Sequence, residues 1–463
     1  MTVKSWVIRL NAFRKPPSAG EALSLNRHLF QLAWPSLIEN LLQTMLGFVD
    51  LVFVGQLGAA AIAGIGLGNQ LMFLLLVLFM GLSVGNQALV ARAVGAGDKR
   101  DAERTAKQSL LIAAVLSLGI AAIGILFSDA IIRVLGATPE VTEIAGGFLR
   151  VVSTFSVVMG IMLVGSGTLR GSGDTRTPMV ITGFINIINI VLDYLLIFGN
   201  FGFPRLGPVG SAVATTIARG VGAGLILYVL FKRGSILKLP AWGGWGFHRD
   251  AIARILNIGA PAAAEQIVFN LGFLAFSAIA ILLGTNELAA QQIAFNISMF
   301  SILPAFAFGV AALTLVGQNL GAQKPDRAEQ SAWQALKSGM MWMCLMGVGF
   351  YAGRHFLVRI YTDDVNVIAL AEMCLVFIAV AQPLQAIAVV LSSALRGAGD
   401  TRATLVFTFV GIWIVRVAFG YLMGIVFGLG LFGVWLGWIA DFLTRAVLIA
   451  WRFRGARWKT LRV

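Results

Sequence analysis

Cysteine is nearly absent from this chain. Cys344 and Cys374 are the two that occur; both fall in apolar stretches, which leaves no disulfide framework and reads them as free thiols in the core. Histidine is as scarce: His28, His248 and His355 lie at the edges of apolar runs, and no His-x-x-x-His pair exists from which to build a histidine-bound metal site or a histidine-based intramembrane enzyme. No Walker-type Lys-Ser/Thr follows a glycine-rich turn, and neither a pore-loop signature nor a catalytic constellation is present. Charge is short too, at 12% of 463 residues against roughly 25% in a soluble domain. A soluble globular fold is thereby excluded. The first long apolar run begins only near residue 29, so no cleavable signal is expected.

What fills the chain is hydrophobic: 58% of its residues, with mean hydropathy +0.86. Twelve runs of about 20 apolar residues lie near 30–54, 62–90, 108–127, 146–168, 179–199, 209–231, 255–282, 289–316, 332–352, 369–394, 404–426 and 432–451. Closed β-barrels show weak alternation over about ten residues instead, so the expected class is an all-α integral membrane protein with twelve spans. Lys and Arg gather at the two termini and after every even-numbered run, 26 against five on the opposite side. The positive-inside rule then predicts a multi-pass plasma (inner) membrane protein with both termini cytoplasmic. The net charge of +14 is expected to orient the chain and to meet anionic lipid heads, not nucleic acid. Val3, Trp6, Val7, Leu10 and Phe13 stand at helical spacing before Pro16-Pro17, which reads either as a short interfacial helix or as a frayed basic tail.

The chain repeats itself at one constant offset, close to half its length. Pro35-x-x-x-Glu39 returns as Pro261-x-x-x-Glu265, Leu57-Gly58 as Leu283-Gly284, Gly95-Ala96 as Gly321-Ala322, and LRGSGDTR (169–176) as LRGAGDTR (395–402). Six runs per copy is an even number, so both copies insert the same way up and are related by a pseudo-two-fold axis along the membrane normal. The expected organisation is a cytoplasmic segment (1–28), a first lobe (29–231), a basic, Gly-rich cytoplasmic linker (232–254), a second lobe (255–453) and a basic tail (454–463). The glycines of the LRGxGDTR copies allow a tight turn, and Asp174 and Asp400 are placed to cap the next helix or to pair with Arg.

Charge inside an apolar run is costly, roughly 2.5–3.5 kcal/mol near a helix centre, so each instance asks for a role. In the first run Gln43 lies about 40° and Asp50 about 20° round a helix from Glu39, which puts all three on one stripe. In the fifth run Asn189 and Asp193 share a face at i, i+4. Asp50 and Asp193 both fall near the outer end of their runs; if the two helices face each other, Asp50, Asn189 and Asp193 form an oxygen-rich site for a proton or for a hard cation such as Na⁺. Glu39 and Glu265, equivalent in the repeat, are open as substrate or secondary coupling carboxylates. Asp441 and Arg445 read as a neutralising i, i+4 pair. Arg416 needs a partner, with Asp441 or Glu265 as candidates. Phe and Met facing a cleft would suit a promiscuous site.

The twin Pro-x-x-x-Glu helices, the twin LRGxGDT loops, Asp50 and the Asn189-x-x-x-Asp193 pair resemble the multidrug and toxic compound extrusion (MATE) family over residues 29–453. The resemblance implies a monomeric antiporter, with no enzymatic activity and no cofactor, that exports small organic and often cationic compounds in exchange for H⁺ or Na⁺ by rocking two lobes. It places the ion-coupling site at Asp50, Asn189 and Asp193, with Gln43 nearby and Thr215 of GSAVATT. Residues 382–397 carry no acid where NorM-type relatives have one, and Ser166 and Thr168 stand where some relatives place Asn. Both departures point to a DinF-like member coupled through its first lobe, with H⁺ ahead of Na⁺. The alternative is a lipid-linked saccharide flippase of the same broad superfamily, whose cavity should be cationic.

Overall fold

Wherever twenty or more apolar residues follow one another in a bilayer, the backbone must satisfy its own hydrogen bonds, and a helix does so within one segment. The structure, a computed structural model, describes residues 19–232, 237–240 and 245–461. Among them are helices and no strand. The first lobe holds α1 (Ala19–Gly55), α2 (Ala59–Gly95), α3 (Lys99–Val134), α4a (Pro139–Thr154) with α4b (Ser156–Gly171), α5 (Arg176–Phe198) and α6 (Pro208–Lys232). The second holds α7 (Arg249–Leu283), α8 (Thr285–Gly321), α9 (Pro325–Arg359), α10 (Val365–Gly397), α11 (Thr401–Phe409, continued by π-helical turns Val410–Phe419 and Leu422–Val426) and α12 (Gly430–Arg454). Each of the twelve apolar runs lies within one of these helices, α4 counting once across its 55° bend. The helices extend past the runs because their ends are polar and capped. Asp98 accepts from the amide of Asp101 at the start of α3 (3.0 Å), and Asp364 accepts from that of Asn366 at the start of α10 (2.9 Å).

The repeat is geometric as well as textual. Gly173 (φ 96°) and Gly399 (φ 87°) turn the chain out of α4b and α10, a conformation other residues reach only with strain. The amides that follow bond back identically, Asp174 to the Leu169 carbonyl (2.9 Å) and Asp400 to that of Leu395 (2.8 Å). Between the lobes, a Cβ on Gly95 would lie 1.9 Å from the carbonyl oxygen of Gln318, and one on Gly321 would lie 1.9 Å from that of Arg92. Gly321 is the repeat counterpart of Gly95 and Gln318 that of Arg92, so this is one contact repeated by the axis. An inverted repeat would not produce it.

All of this contact lies at the end that carries the basic loops. There Gln87 donates to Thr314 Oγ1 (3.1 Å), Thr314 Oγ1 to the Arg170 carbonyl (3.2 Å), and Gln318 to the Gly171 carbonyl (3.1 Å). The face of α8 that bears Gly317, Gln318 and Gly321 continues at helical spacing through Phe300 and Asn296, where it is exposed. On α2 the face of Gly81 and Gly85 continues through Leu74 and Gln70, exposed as well. Both faces are thus packed at the basic end and uncovered toward the opposite one, as lobes that part there would leave them.

The linker is less open than its composition suggests: Leu237 and Leu239 are buried against the first lobe, and Gln108 holds Gly246 and His248. The amphipathic stretch 3–13 lies outside the described residues. Cys344 and Cys374 are both free; Cys374 is buried, as expected of a core thiol, whereas Cys344 is exposed on the helix surface and departs from that expectation.

Candidate ion-coupling site

The residues that α1, α5 and α6 contribute meet in the first lobe. Asn189 and Asp193, one turn apart on α5, are both buried, at 1% and 0% exposure, while Asp50 on α1 is half-buried. With its amide set to satisfy every neighbour, Asn189 donates to Asp193 Oδ2 (3.1 Å) and Asp50 Oδ1 (3.2 Å). Its oxygen accepts from the amide and hydroxyl of Thr215 on α6 (3.1 and 3.3 Å). The Asn189 amide thus bridges the two carboxyl groups. Asp193 Oδ1 is buried and receives no hydrogen bond from a donor among the described residues. Two carboxyl groups drawn to one amide repel each other unless a proton neutralises one of them, so the arrangement suits a single bound proton.

The site holds one residue that the sequence reading passed over. Arg219, one turn beyond Thr215 on α6, faces the same way and acts electrostatically on Asp50. Its Nη1 meets Met159 Sδ at 3.7 Å. The signal was available, since a lone Arg four residues from a candidate ligand in an apolar run is a functional pointer in itself.

Two of the nominated carboxylates are elsewhere and otherwise engaged. Glu39 accepts from Arg170 Nη1 at 3.1 Å on both oxygens, and Glu265 accepts from Arg396 at 2.8 and 3.2 Å. Each pair clamps the first helix of its lobe to its LRGxGDT turn, and the two pairs are counterparts in the repeat. Thr404 and Thr408 add two bonds to Glu265, at 2.9 Å each; in the first lobe Pro178 stands at the counterpart of Thr404 and Thr182 at that of Thr408, and Glu39 is bonded by Arg170. Both carboxylates, left open as substrate or secondary coupling groups, are thus buried and turned to an arginine of their own lobe, away from Asp50 and Asp193. Gln43 is exposed and takes no part in the Asn189 network, because a stripe of three residues along α1 spans too much length for all of them to meet α5. The twin aspartates divide the roles left open for them: Asp174 caps α5 through Thr177 (3.0 and 2.6 Å), and Asp400 pairs with Arg452 (2.7 Å).

The second lobe has no equivalent acid pair. Phe276 stands at the repeat counterpart of Asp50. Gly210 and Gly433 each pack a missing side chain on the end of the preceding helix, which aligns α6 with α12 glycine on glycine and puts Trp438 at the place of Thr215. Into this aromatic pocket α11 sends Arg416, fully buried, 4.1 Å from the Trp438 ring and bonded to Asp441. Asp441 also holds Arg445 (2.6 and 2.8 Å), so it is the Arg416 partner. Among the described residues, no cluster of three His, Cys, Asp or Glu side chains could hold a metal.

Paired six-helix lobes of parallel orientation, with a carboxylate pair bridged by an amide inside one of them, are the architecture of a membrane transporter. The MatE family model matches the chain twice, at residues 35–195 and 261–422, in the register of the repeat. A probable multidrug resistance protein NorM of Thermotoga maritima is 34% identical, covering 98% of this chain and 97% of its own. The uncharacterized transporter YisQ of Bacillus subtilis is 28% identical over 98% of this chain and 99% of its own. Among solved structures, one described as the outward-facing conformation of a multidrug resistance MATE transporter superposes with TM-score 0.87 at 25% identity, covering 97% of this chain and 100% of that one. The chain belongs to the multidrug and toxic compound extrusion family.

Proposed function

We propose that this protein is a plasma-membrane antiporter, with both termini cytoplasmic, that exports small organic compounds, many of them cations, in exchange for H⁺. The observation that carries the reading is the Asn189 amide that bridges Asp50 and Asp193. Protonated once, the pair is closed by the two Asn189 donors. Deprotonated, it carries mutually repelling charges that push α1 from α5 and attract an organic cation entering the cleft. Ion and substrate then exclude each other because each is favoured by a different charge state of one site, which is the condition for exchange. Each factor of ten in proton affinity between the two conformations supplies about 1.4 kcal/mol of coupling.

H⁺ is favoured over Na⁺ by the Asn189 amide. A hard cation takes oxygen ligands, yet the orientation that satisfies Thr215 turns the NH₂ of Asn189, a donor, toward the carboxylates. The cleft walls suit poorly specified substrates: Leu74, Met299 and Phe300 supply apolar contact, with Gln70 and Asn296 as uncharged polar groups. NorM relatives are named for multidrug resistance, which fits this surface. Everted vesicles loaded with tetraphenylphosphonium or ethidium outside test the assignment. Uptake driven by a pH gradient and indifferent to Na⁺ is expected; uptake driven by Na⁺ at zero pH gradient would overturn it.

A further inference from the structure

We propose that Arg219 is a built-in counter-charge that limits the first-lobe site to one monovalent cation and makes that cation H⁺; the inference rests on the ion-exchange reading above. Arg219 lies one helical turn from Thr215, on the same face of α6. Thr215 anchors the Asn189 amide that bonds both carboxylates. Among the described residues, no carboxylate is within ion-pair distance of the guanidinium, and its hydrogen-bond contact is the thioether of Met159 at 3.7 Å. A cation in such surroundings must be balanced by a charge close by, and the carboxylate it acts on is Asp50. In the second lobe the opposite solution holds: Asp441 bonds Arg416 and Arg445 directly, and its oxygens are consumed. Arg219 instead stands off from Asp50, so it offsets charge without occupying the carboxylate oxygens.

The charge count then sets the stoichiometry. Two carboxylates and one guanidinium sum to minus one, and a single bound proton makes the site neutral. Without Arg219 the same site would carry minus two, and neutrality would take two protons or favour a hard cation. The guanidinium lowers the attraction of the site for either cation by the same Coulomb law; a proton is still held by the covalent bond it forms to one oxygen, whereas Na⁺ must be compensated for its lost hydration by several anionic or carbonyl oxygens, and a site of net charge minus one offers it too little. Arg219 is therefore a specificity-determining residue that touches neither ion nor substrate.

The test uses the full-length protein in everted vesicles, with tetraphenylphosphonium as the transported probe. Arg219→Lys keeps the charge and is expected to keep H⁺-driven, Na⁺-indifferent export. Arg219→Gln is expected to gain export driven by a Na⁺ gradient or to require a second proton, seen as a doubled slope of log rate against pH. The sharper arm is rescue: Asp50→Asn leaves a neutral site with nothing to exchange and loses export, and Asp50→Asn/Arg219→Gln restores a charge of minus one. The double variant should recover at least tenfold over Asp50→Asn under a pH gradient. A membrane-inserted Arg219→Gln with unchanged ion preference and pH slope, a double variant no better than Asp50→Asn, or a folded Arg219→Lys that has lost H⁺ coupling would each overturn the proposal. Full export by Asp50→Asn alone would instead overturn the carboxylate site itself, so the two failures are distinguishable.

Discussion

Glu39 and Glu265 show how one residue can be bound twice in a duplicated chain with unequal strength. Glu265 accepts four bonds and Glu39 receives its pair from a single nitrogen. Glu265→Gln is therefore expected to lower the melting temperature in detergent more than Glu39→Gln does, with the difference reflecting about 1–3 kcal/mol of stranded partners. Asp441→Asn should be worse than either, about 3–5 kcal/mol, because it leaves two buried guanidinium groups without their shared anion. Equal melting curves for Asp441→Asn and wild type would contradict the clamp. The Asp441–Arg445 pair was legible from its i, i+4 spacing, but the glutamate partnerships were not: Arg170 lies 131 residues from Glu39, and nothing local distinguishes a carboxylate awaiting substrate from one already clamped. Asp50, Asn189 and Asp193 were legible because burial of an acid is conspicuous in an apolar run. Arg219 was equally conspicuous, but a basic residue near the middle of a run passes for one of the chain's many orienting charges.

At the scale of elements, two features constrain motion. α2 and α8 approach until no side chain fits at Gly95 or Gly321, so a methyl group there must push the lobes apart at the basic end. With spin labels at Lys99 and Lys324, Gly95→Ala and Gly321→Ala should each lengthen the label separation and reduce the population closed at that end; an unchanged distance distribution would sink this account. The second feature is a turn. Gln323 adopts φ 58° where the repeat has Gly97 at φ 75°, and Gln323→Gly should stabilise the end of α8 by about 0.5–1 kcal/mol, the strain relieved exceeding the entropy that glycine loses. Elements were the most legible level: each long apolar run is a helix, and turns fall where Gly, Pro or Asp punctuate. The bend in α4 and the π-helical turns of α11 were not, since no proline marks either place in the chain.

For the whole molecule, the repeat distance and the number of runs per copy determine that the lobes are parallel. What no repeat can reveal is why the lobes differ. The first is acidic at the place where the second stacks Arg416 between Trp438 and Phe276, so a symmetric scaffold carries an asymmetric charge, and the ion coupling we propose is assigned to the first lobe. Orientation follows from the basic loops: in a background without Cys344, Lys99→Cys should be protected from an impermeant maleimide in intact cells and Glu140→Cys labelled. The reverse pattern would invert the transport direction. The central claim, that substrate and proton compete for Asp50 and Asp193, is tested most directly by adding tetraphenylphosphonium to the purified protein in weakly buffered detergent and recording pH. The account predicts that wild type releases about one proton per molecule and that Asp50→Asn and Asp193→Asn release none. Binding without proton release by wild type, or undiminished release by Asp193→Asn, would contradict it.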